Sequence, residues 1–516
     1  MMNNSVSNNK IKNGALLSYV ASGLNIIIGL LFTPWLVKSL GTSDYGLYAL
    51  ASTFVSYFLI DFGLGNVVSK YVSQYRVSNS NEDISQFLSV VTKTFVIITI
   101  ILTFIFSIVY LEIDTIFKGL STLEIEKFKV IYIISASYNL ISFPFNSLNG
   151  ILNAYEYFGK IQIANIIQKL SLVLLMSVAL ILDYGIFALV VIQAISGFLA
   201  IVYKLSYVLR LKISVNWTYS NFARIKDILR FSIWVCLLGL SNQFIYGGQT
   251  MILGITSNTY NISNFNIAYT VYGFVYLFAN GLNGLFLPKV SFLNKKEDSH
   301  IKINNLLIKV GRIQLIIIGL IVSGFAIAGK EFIYLWVGED YKLSYWIALC
   351  LLIPTLITLT EEIAATLLYV KEKIKYKTFL YLLGTITSIT LTVLLSNKVG
   401  ALGAGLSVLL SISVFDIFLL NVIYRKRMNI AILQFFKECH LKYLLPLSIA
   451  LIICYTAKYY IIINSWFDIT LMVLGYSVVY AISMWFLYMN KTEKEYIKNN
   501  LTNKSNGNKK NSKKST

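Results

Sequence analysis

Apolar runs of twenty or more residues recur along the whole chain, each parted from the next by a short polar stretch. Fourteen can be placed, at 14–38, 45–70, 86–110, 128–152, 158–182, 185–209, 228–256, 261–290, 305–328, 343–369, 376–396, 399–424, 440–463 and 467–489. A helix rises about 1.5 Å per residue, so about twenty residues cross a hydrocarbon core about 30 Å thick. Strands of a membrane barrel would be about ten residues long and alternate inward and outward, and none of these runs alternates. The pattern predicts an all-α integral membrane protein of about fourteen transmembrane helices. The first run follows Lys10 and Lys12 but is too long for a signal peptide and lacks a small-residue cleavage site, so it reads as a retained span.

Composition agrees with lipid as the solvent. Of 516 residues, 56% are hydrophobic and 13% charged, and the mean hydropathy is +0.68. His300, His440, Cys236, Cys350, Cys439 and Cys454 form no CxxC pair and no cluster, so neither a metal site nor a disulfide framework is expected. No glycine-rich phosphate loop ending in GK[ST] is present. The longest external connection, 111–127, is short and has no His or Arg, which argues against a polysaccharide polymerase or ligase. The chain reads as a non-enzyme without a cofactor.

Charge placement orients the spans. With a cytoplasmic N-terminus, 34 Lys and Arg fall on the inner side and 8 on the outer, while Lys93 and Lys169 lie inside spans. That asymmetry follows the positive-inside rule and puts both termini in the cytoplasm. The net charge of +20 is then topological, with anionic membrane lipids as the natural partner and nucleic acid excluded. Residues 490–516 are basic and low in complexity and read as a disordered cytoplasmic tail.

The two halves resemble each other. Gly63-Leu64-Gly65 and Tyr71-Val72-Ser73 answer to Gly281-Leu282-Asn283 and Lys289-Val290-Ser291, Lys93 answers to Arg312, and Gly185 and Arg210 answer to Gly400 and Arg425. Six spans per copy keep both copies in one orientation, as in parallel-repeat transporters. The expected organisation is an N-lobe at 1–215, a C-lobe at 216–430 and two added spans at 431–489, with the lobes flanking a central cleft.

The opening stretch carries an LG-x-x-x-YG-x-Y turn (Leu40, Gly41, Tyr45, Gly46, Tyr48) and a DFGL segment at Asp61 to Leu64. It resembles the N-terminus of polysaccharide flippases of the Wzx type, in the superfamily of multidrug, oligosaccharidyl-lipid and polysaccharide exporters. The resemblance implies translocation of an undecaprenyl-pyrophosphate-linked oligosaccharide across a bacterial inner membrane by alternating access, for O-antigen or capsule synthesis. Polymerase and chain-length proteins would act downstream. A cation-coupled drug antiporter of the same superfamily is the alternative.

Ionisable groups within spans are costly and call for a reason. Lys169, Lys93 and Arg312 are the candidate substrate-binding cations; Lys93 and Arg312 also sit near enough to the interface to snorkel. Lys169, beside Asn165 and Gln168, suits a phosphate because an ammonium is a compact point charge. Asp61, Glu361, Glu362 and Asp416 are candidates for coupling to a proton or sodium gradient, or for ion pairing. Asp61 reads first as a cap at the Gly63/Gly65 break, and consecutive Glu361 and Glu362 must point about 100° apart. Pro144 and Pro354 occupy matching spans 4 and 10 and are candidate hinges. Tyr246, Tyr269, Tyr272 and Tyr276 could stack on sugar rings or simply pack helices.

Overall fold

The computed structural model describes residues 4–58, 64–77, 80–211, 213, 222–280, 286–294, 297–460, 463–491 and 493–495, and among them every regular element is a helix. Among the described residues eleven helices are long and apolar enough to cross a membrane. The difference from fourteen has a local cause. Span 1 and the first part of span 2 are two helices that meet at a kink within Asn4–Phe58, at Gly41, whose φ of 71° and ψ of 174° leave the helical path and suit a residue without Cβ. Span 7 is divided into Phe222–Tyr246 and Gly248–Thr256, and span 8 is Thr259–Asn280, diluted by asparagine, serine and threonine. Counting the bent helix as two crossings and adding spans 7 and 8 restores the expected number.

Proline divides two further spans. In span 4 a 3-10 turn, Phe143–Asn146, holds Pro144 between Thr122–Ser142 and Ser147–Ala154. In span 10 the helix Lys342–Leu352 stops before Pro354 and resumes through Thr355–Thr358 and the 3-10 turn Leu359–Glu361 into Glu362–Val370. A proline ring lacks the amide proton that the helix needs and crowds the preceding turn.

The same packing recurs in both halves. Span 5 (Phe158–Ile181) lies against spans 1 and 6 (Gly185–Arg210), and span 6 against span 4. Likewise span 11 (Ile374–Val399) lies against spans 7 and 12 (Ala401–Met428), and span 12 against span 10. The turns repeat as well. After span 4, Glu156 is left-handed (φ 61°), with Tyr157 N–H donating to Leu152 O; after span 10, Glu372 is left-handed (φ 53°), with Lys373 N–H donating to Leu368 O. Gly185 and Gly400 open spans 6 and 12 with φ of 70° and 57°.

The largest buried cluster draws on both halves, with Leu47, Phe54, Ile131 and Tyr132 from the first and Ile262, Phe265, Ile347 and Leu351 from the second. Outward faces stay apolar, as Ile100, Phe104 and Ile108 of span 3 show at 53%, 69% and 62% exposure, which suits lipid and not water. Spans 13 (Ile432–Tyr460) and 14 (Trp466–Tyr488) fasten to span 9 (Ser299–Val337) by tyrosines. Tyr480 donates to Ile316 O at 2.8 Å and meets the Tyr443 hydroxyl at 2.9 Å. Tyr443 comes so close to Gly319 that a Cβ there would lie 1.9 Å from its hydroxyl.

Candidate functional site

The turn motif at the bend between spans 1 and 2 builds a junction between the halves, at the bundle end away from the termini. Gly46 permits it: a Cβ there would stand 2.6 Å from Thr259 O at the start of span 8. Ser263 of span 8 donates to Thr42 O at 2.5 Å, and Tyr45 meets Tyr341 edge-on at 6.5 Å. Glu124, at the start of span 4, accepts from Ser43 (2.6 Å), Thr259 (2.8 Å) and the Ser121 amide (2.9 Å). Gly119 lies so near Ser257 that a Cβ would fall 1.5 Å from its carbonyl oxygen. Pro34 leaves Leu30 O without its helical donor, and the Trp336 indole of span 9 supplies one across the seam at 2.7 Å. Sequence reading found the motif but neither Glu124 nor Trp336; the signal available was a proline whose freed carbonyl needed a partner.

A polar cavity of about 280 Å³ lies in the second half. Glu362, Asp416, Lys377, Asn242 and Tyr381 line it together with Tyr246, Tyr272 and Tyr276. Asp416 is buried and accepts from Tyr381 at 2.7 Å, on a stretch of span 12 widened into a π-helix at Ile412–Leu419. Such bulges re-aim side chains and recur at functional sites. Glu362 faces the cavity, whereas its neighbour Glu361 turns to span 12 and accepts from Asn421 Nδ2 at 2.7 Å. The tyrosines stack upon one another, Tyr246 on Tyr272 at 4.5 Å and Tyr272 on Tyr269 and Tyr276 at 5.9 and 5.8 Å. The Pro354 break delivers Thr355 and Thr358 to the wall, and His440 Nε2 reaches Leu356 O at 3.2 Å beside it. Lys377, whose ammonium lies 5.2 Å from the Tyr381 ring, was missed in sequence because it sits at a helix start. Its spacing of four from Tyr381 was the readable clue.

In the first half the membrane-depth groups are cationic. Lys169 stands midway along span 5, against Leu24, Asn25 and Ile28 of span 1, with no acidic partner among the described residues. Lys204 of span 6 is likewise half-buried and free of ion pairs among the described residues. Lys93 is half-buried in span 3. Glu362 and Asp416 share their cavity with Lys377, while Lys93, Lys169 and Lys204 lie apart from it; Asp61 lies outside the described residues. Among the described residues no three His, Cys, Asp or Glu side chains converge as a metal site would require.

Arg312 corrects its expected place as a cleft cation. Its guanidinium is buried and fully engaged, held by Glu493 at 2.7 and 2.9 Å, Glu438 O at 2.8 Å and Tyr488 O at 2.6 Å. It also lies 4.1 Å from the Tyr488 ring. The same ion pair corrects the expected tail. Asn490 and Glu493 cap each other at 2.9 Å, so the first residues after span 14 are ordered against span 9.

The family model for polysaccharide biosynthesis proteins matches residues 11–292, more than half of the chain. Among solved structures, the lipid II flippase MurJ in an inward closed conformation superposes with a TM-score of 0.72 at 18% identity, over 92% of this chain and 99% of that one. An inward-facing multidrug resistance MATE family transporter of the MOP superfamily gives 0.61 at 15% identity, over 79% and 94%. A MOP superfamily transporter from Pyrococcus furiosus, described as having a binding pocket of reverse polarity, gives 0.51 at 13%, over 81% and 95%. No curated protein matches by sequence. At these identities the likeness is one of fold: the chain has the all-α fold of these transporters and is a multi-pass membrane protein.

Proposed function

The chain belongs to the polysaccharide biosynthesis protein family, and from that premise we propose that it flips a polyprenyl-pyrophosphate-linked oligosaccharide from the inner to the outer leaflet of a bacterial plasma membrane, supplying a surface polymer such as O-antigen or capsule. The observation that carries this reading is Lys169, an ammonium midway along span 5 with no acidic partner among the described residues. A cation kept in that state costs several kcal/mol unless an anion visits. A pyrophosphate is such an anion. The seam around Glu124 and Trp336 closes the end away from the termini, so the head group loads from the cytoplasmic side while the polyprenyl tail stays in lipid. Separation of the first six spans from the next six at that seam, with Pro144 and Pro354 as the bending points, then exposes the head group outside.

The test is transport of a fluorescent polyprenyl-pyrophosphate oligosaccharide in vesicles reconstituted with the full chain. Lys169→Ala is expected to lower the flipping rate about tenfold, the scale of one lost charge-assisted contact. An unchanged rate removes Lys169 from the mechanism.

The second reading, a cation-coupled drug antiporter, is favoured by one feature, the cavity that Glu362 and Asp416 share. In the flippase reading the same acids take up the coupling proton or sodium ion. Glu362→Gln with Asp416→Asn separates the two. A flippase loses its response to an imposed ion gradient yet keeps downhill flipping, whereas an antiporter loses drug extrusion and shows no lipid-linked sugar transport in either form.

A further inference from the structure

A second, larger cavity of about 940 Å³ opens at the bundle end that carries the C-terminal segment. Its walls come from the region after span 8 (Phe286, Lys289), from span 9, and from Met489, Asn490 and Glu493. Among the described residues none of the first half lines it, which sets it apart from a passage between the halves.

One face of span 9 sets its character. Asn305, Lys309, Ile313 and Ile316 follow one another at spacings of four, four and three, which keeps them on one helix stripe. The stripe is polar, then cationic, then apolar, and Lys309 to Ile316 spans about 10 Å of rise. Ile313 is 41% exposed, and Lys289 and Lys309 are exposed, with no acid paired to either among the described residues. Glu493, the acid on the wall, would repel an anion if it were free, but Arg312 holds both its oxygens. The cavity therefore offers two exposed ammonium groups, unpaired among the described residues, over an apolar slot.

We infer that this cavity binds one anionic glycerophospholipid of the cytoplasmic leaflet, with its phosphate between Lys289 and Lys309 and an acyl chain along Ile313 and Ile316. The charge complementarity is specific: a zwitterionic headgroup brings its own cation and gains little from the lysines. The Arg312–Glu493 pair serves the site by fixing the C-terminal wall. Binding does not depend on the flippase reading, because only lipid retention is measured.

The experiment uses the purified full chain, stripped of lipid in detergent and titrated with phosphatidylglycerol or phosphatidylcholine, with bound lipid counted by native mass spectrometry. The expected result is a phosphatidylglycerol site that Lys289→Ala with Lys309→Ala weakens about thirtyfold, the effect of two lysines at a lipid surface. Lys375→Ala with Lys426→Ala, which removes equal charge from exposed positions that do not line the cavity, should leave it intact. Ile313→Trp, which fills the slot and keeps both lysines, should weaken it too. Inorganic phosphate should not compete. Equal loss in both double variants, equal affinity for phosphatidylcholine, full competition by inorganic phosphate, or full affinity in Ile313→Trp each overturns the proposal. So does preferential displacement by polyprenyl phosphate, which would hand the cavity to the transported lipid.

Discussion

The two halves share a packing scheme and a set of turns but place their charges differently. In the second half acids share a cavity with a lysine; in the first half, among the described residues, two lysines stand without acids at that depth. Among the described residues the first half offers Lys93, Lys169 and Lys204, the last two without an acid. The second half offers Glu361, Glu362 and Asp416, two of them hydrogen-bonded to a neutral neighbour, with Lys377 on the wall of the same cavity and one arginine tied to Glu493. One scaffold therefore carries two electrostatic environments. Helix packing tolerates this because it depends on shape along the contact stripe and leaves lumen-facing positions free to differ. The difference suits a division of work, with an anionic head group met by the first half and a coupling cation by the second.

The sharpest way to break that comparison is at the arginine. If Arg312 is structural and Lys169 is not, their removal must act on different observables. Arg312→Ala strands Glu493 and two carbonyls in a buried setting, with side chains only 5% and 10% exposed. Removing one partner of such a pair costs about 3–5 kcal/mol. A drop of that size in unfolding free energy is expected for Arg312→Ala in detergent, with little recovery in Arg312→Lys, because an ammonium cannot grip two oxygens and two carbonyls at once. Lys169→Ala should unfold no earlier than the parent. Equal destabilisation by both would erase the distinction between the halves.

The span pattern, the membrane class and the internal repeat were legible in the sequence because each rests on periodicity or composition, which survive without coordinates. The repeat signal at Gly185 and Gly400 was real at the level of backbone, since both residues adopt positive φ. What could not be read was side-chain direction. Lys93 and Arg312 hold equivalent places, yet Arg312 met the C-terminal segment, a partner the first half has no copy of. Spans 13 and 14 are outside the repeat, and a residue facing them escapes repeat logic. Glu361 and Glu362 show the same limit: adjacency required divergence, but only packing decided that Glu362 took the cavity.

The next effect concerns the seam that joins the halves. Gly119 meets the backbone of Ser257, whose carbonyl oxygen a Cβ would approach to 1.5 Å, and backbone cannot swing aside as a side chain can. Gly119→Ala should disfavour the closed seam by about 1–3 kcal/mol, the usual cost of overpacking. That corresponds to a shift of about five- to 150-fold between closed and open populations. Spin labels at Lys118 and Tyr260, on opposite sides of the seam, should report longer separations in the variant. Unchanged distances with intact folding would mean that the two halves do not part there.

The smallest effect tests whether the repeated turns are equal. Gly185 and Gly400 occupy matching places, but their surroundings differ: a Cβ at Gly185 meets nothing within 4 Å, whereas one at Gly400 lies 2.5 Å from Asn261 Oδ1. That same oxygen accepts the Ala401 amide at 3.0 Å, so the contact caps span 12 and cannot simply retreat. A positive φ alone costs a residue with Cβ about 1–3 kcal/mol. Gly185→Ala should therefore lose that much and no more, while Gly400→Ala should lose about 1 kcal/mol beyond it through the displaced cap. Unfolding of the two variants side by side gives the difference directly. Equal losses would show that Asn261 yields freely and that the second half is no more tightly built at this turn than the first.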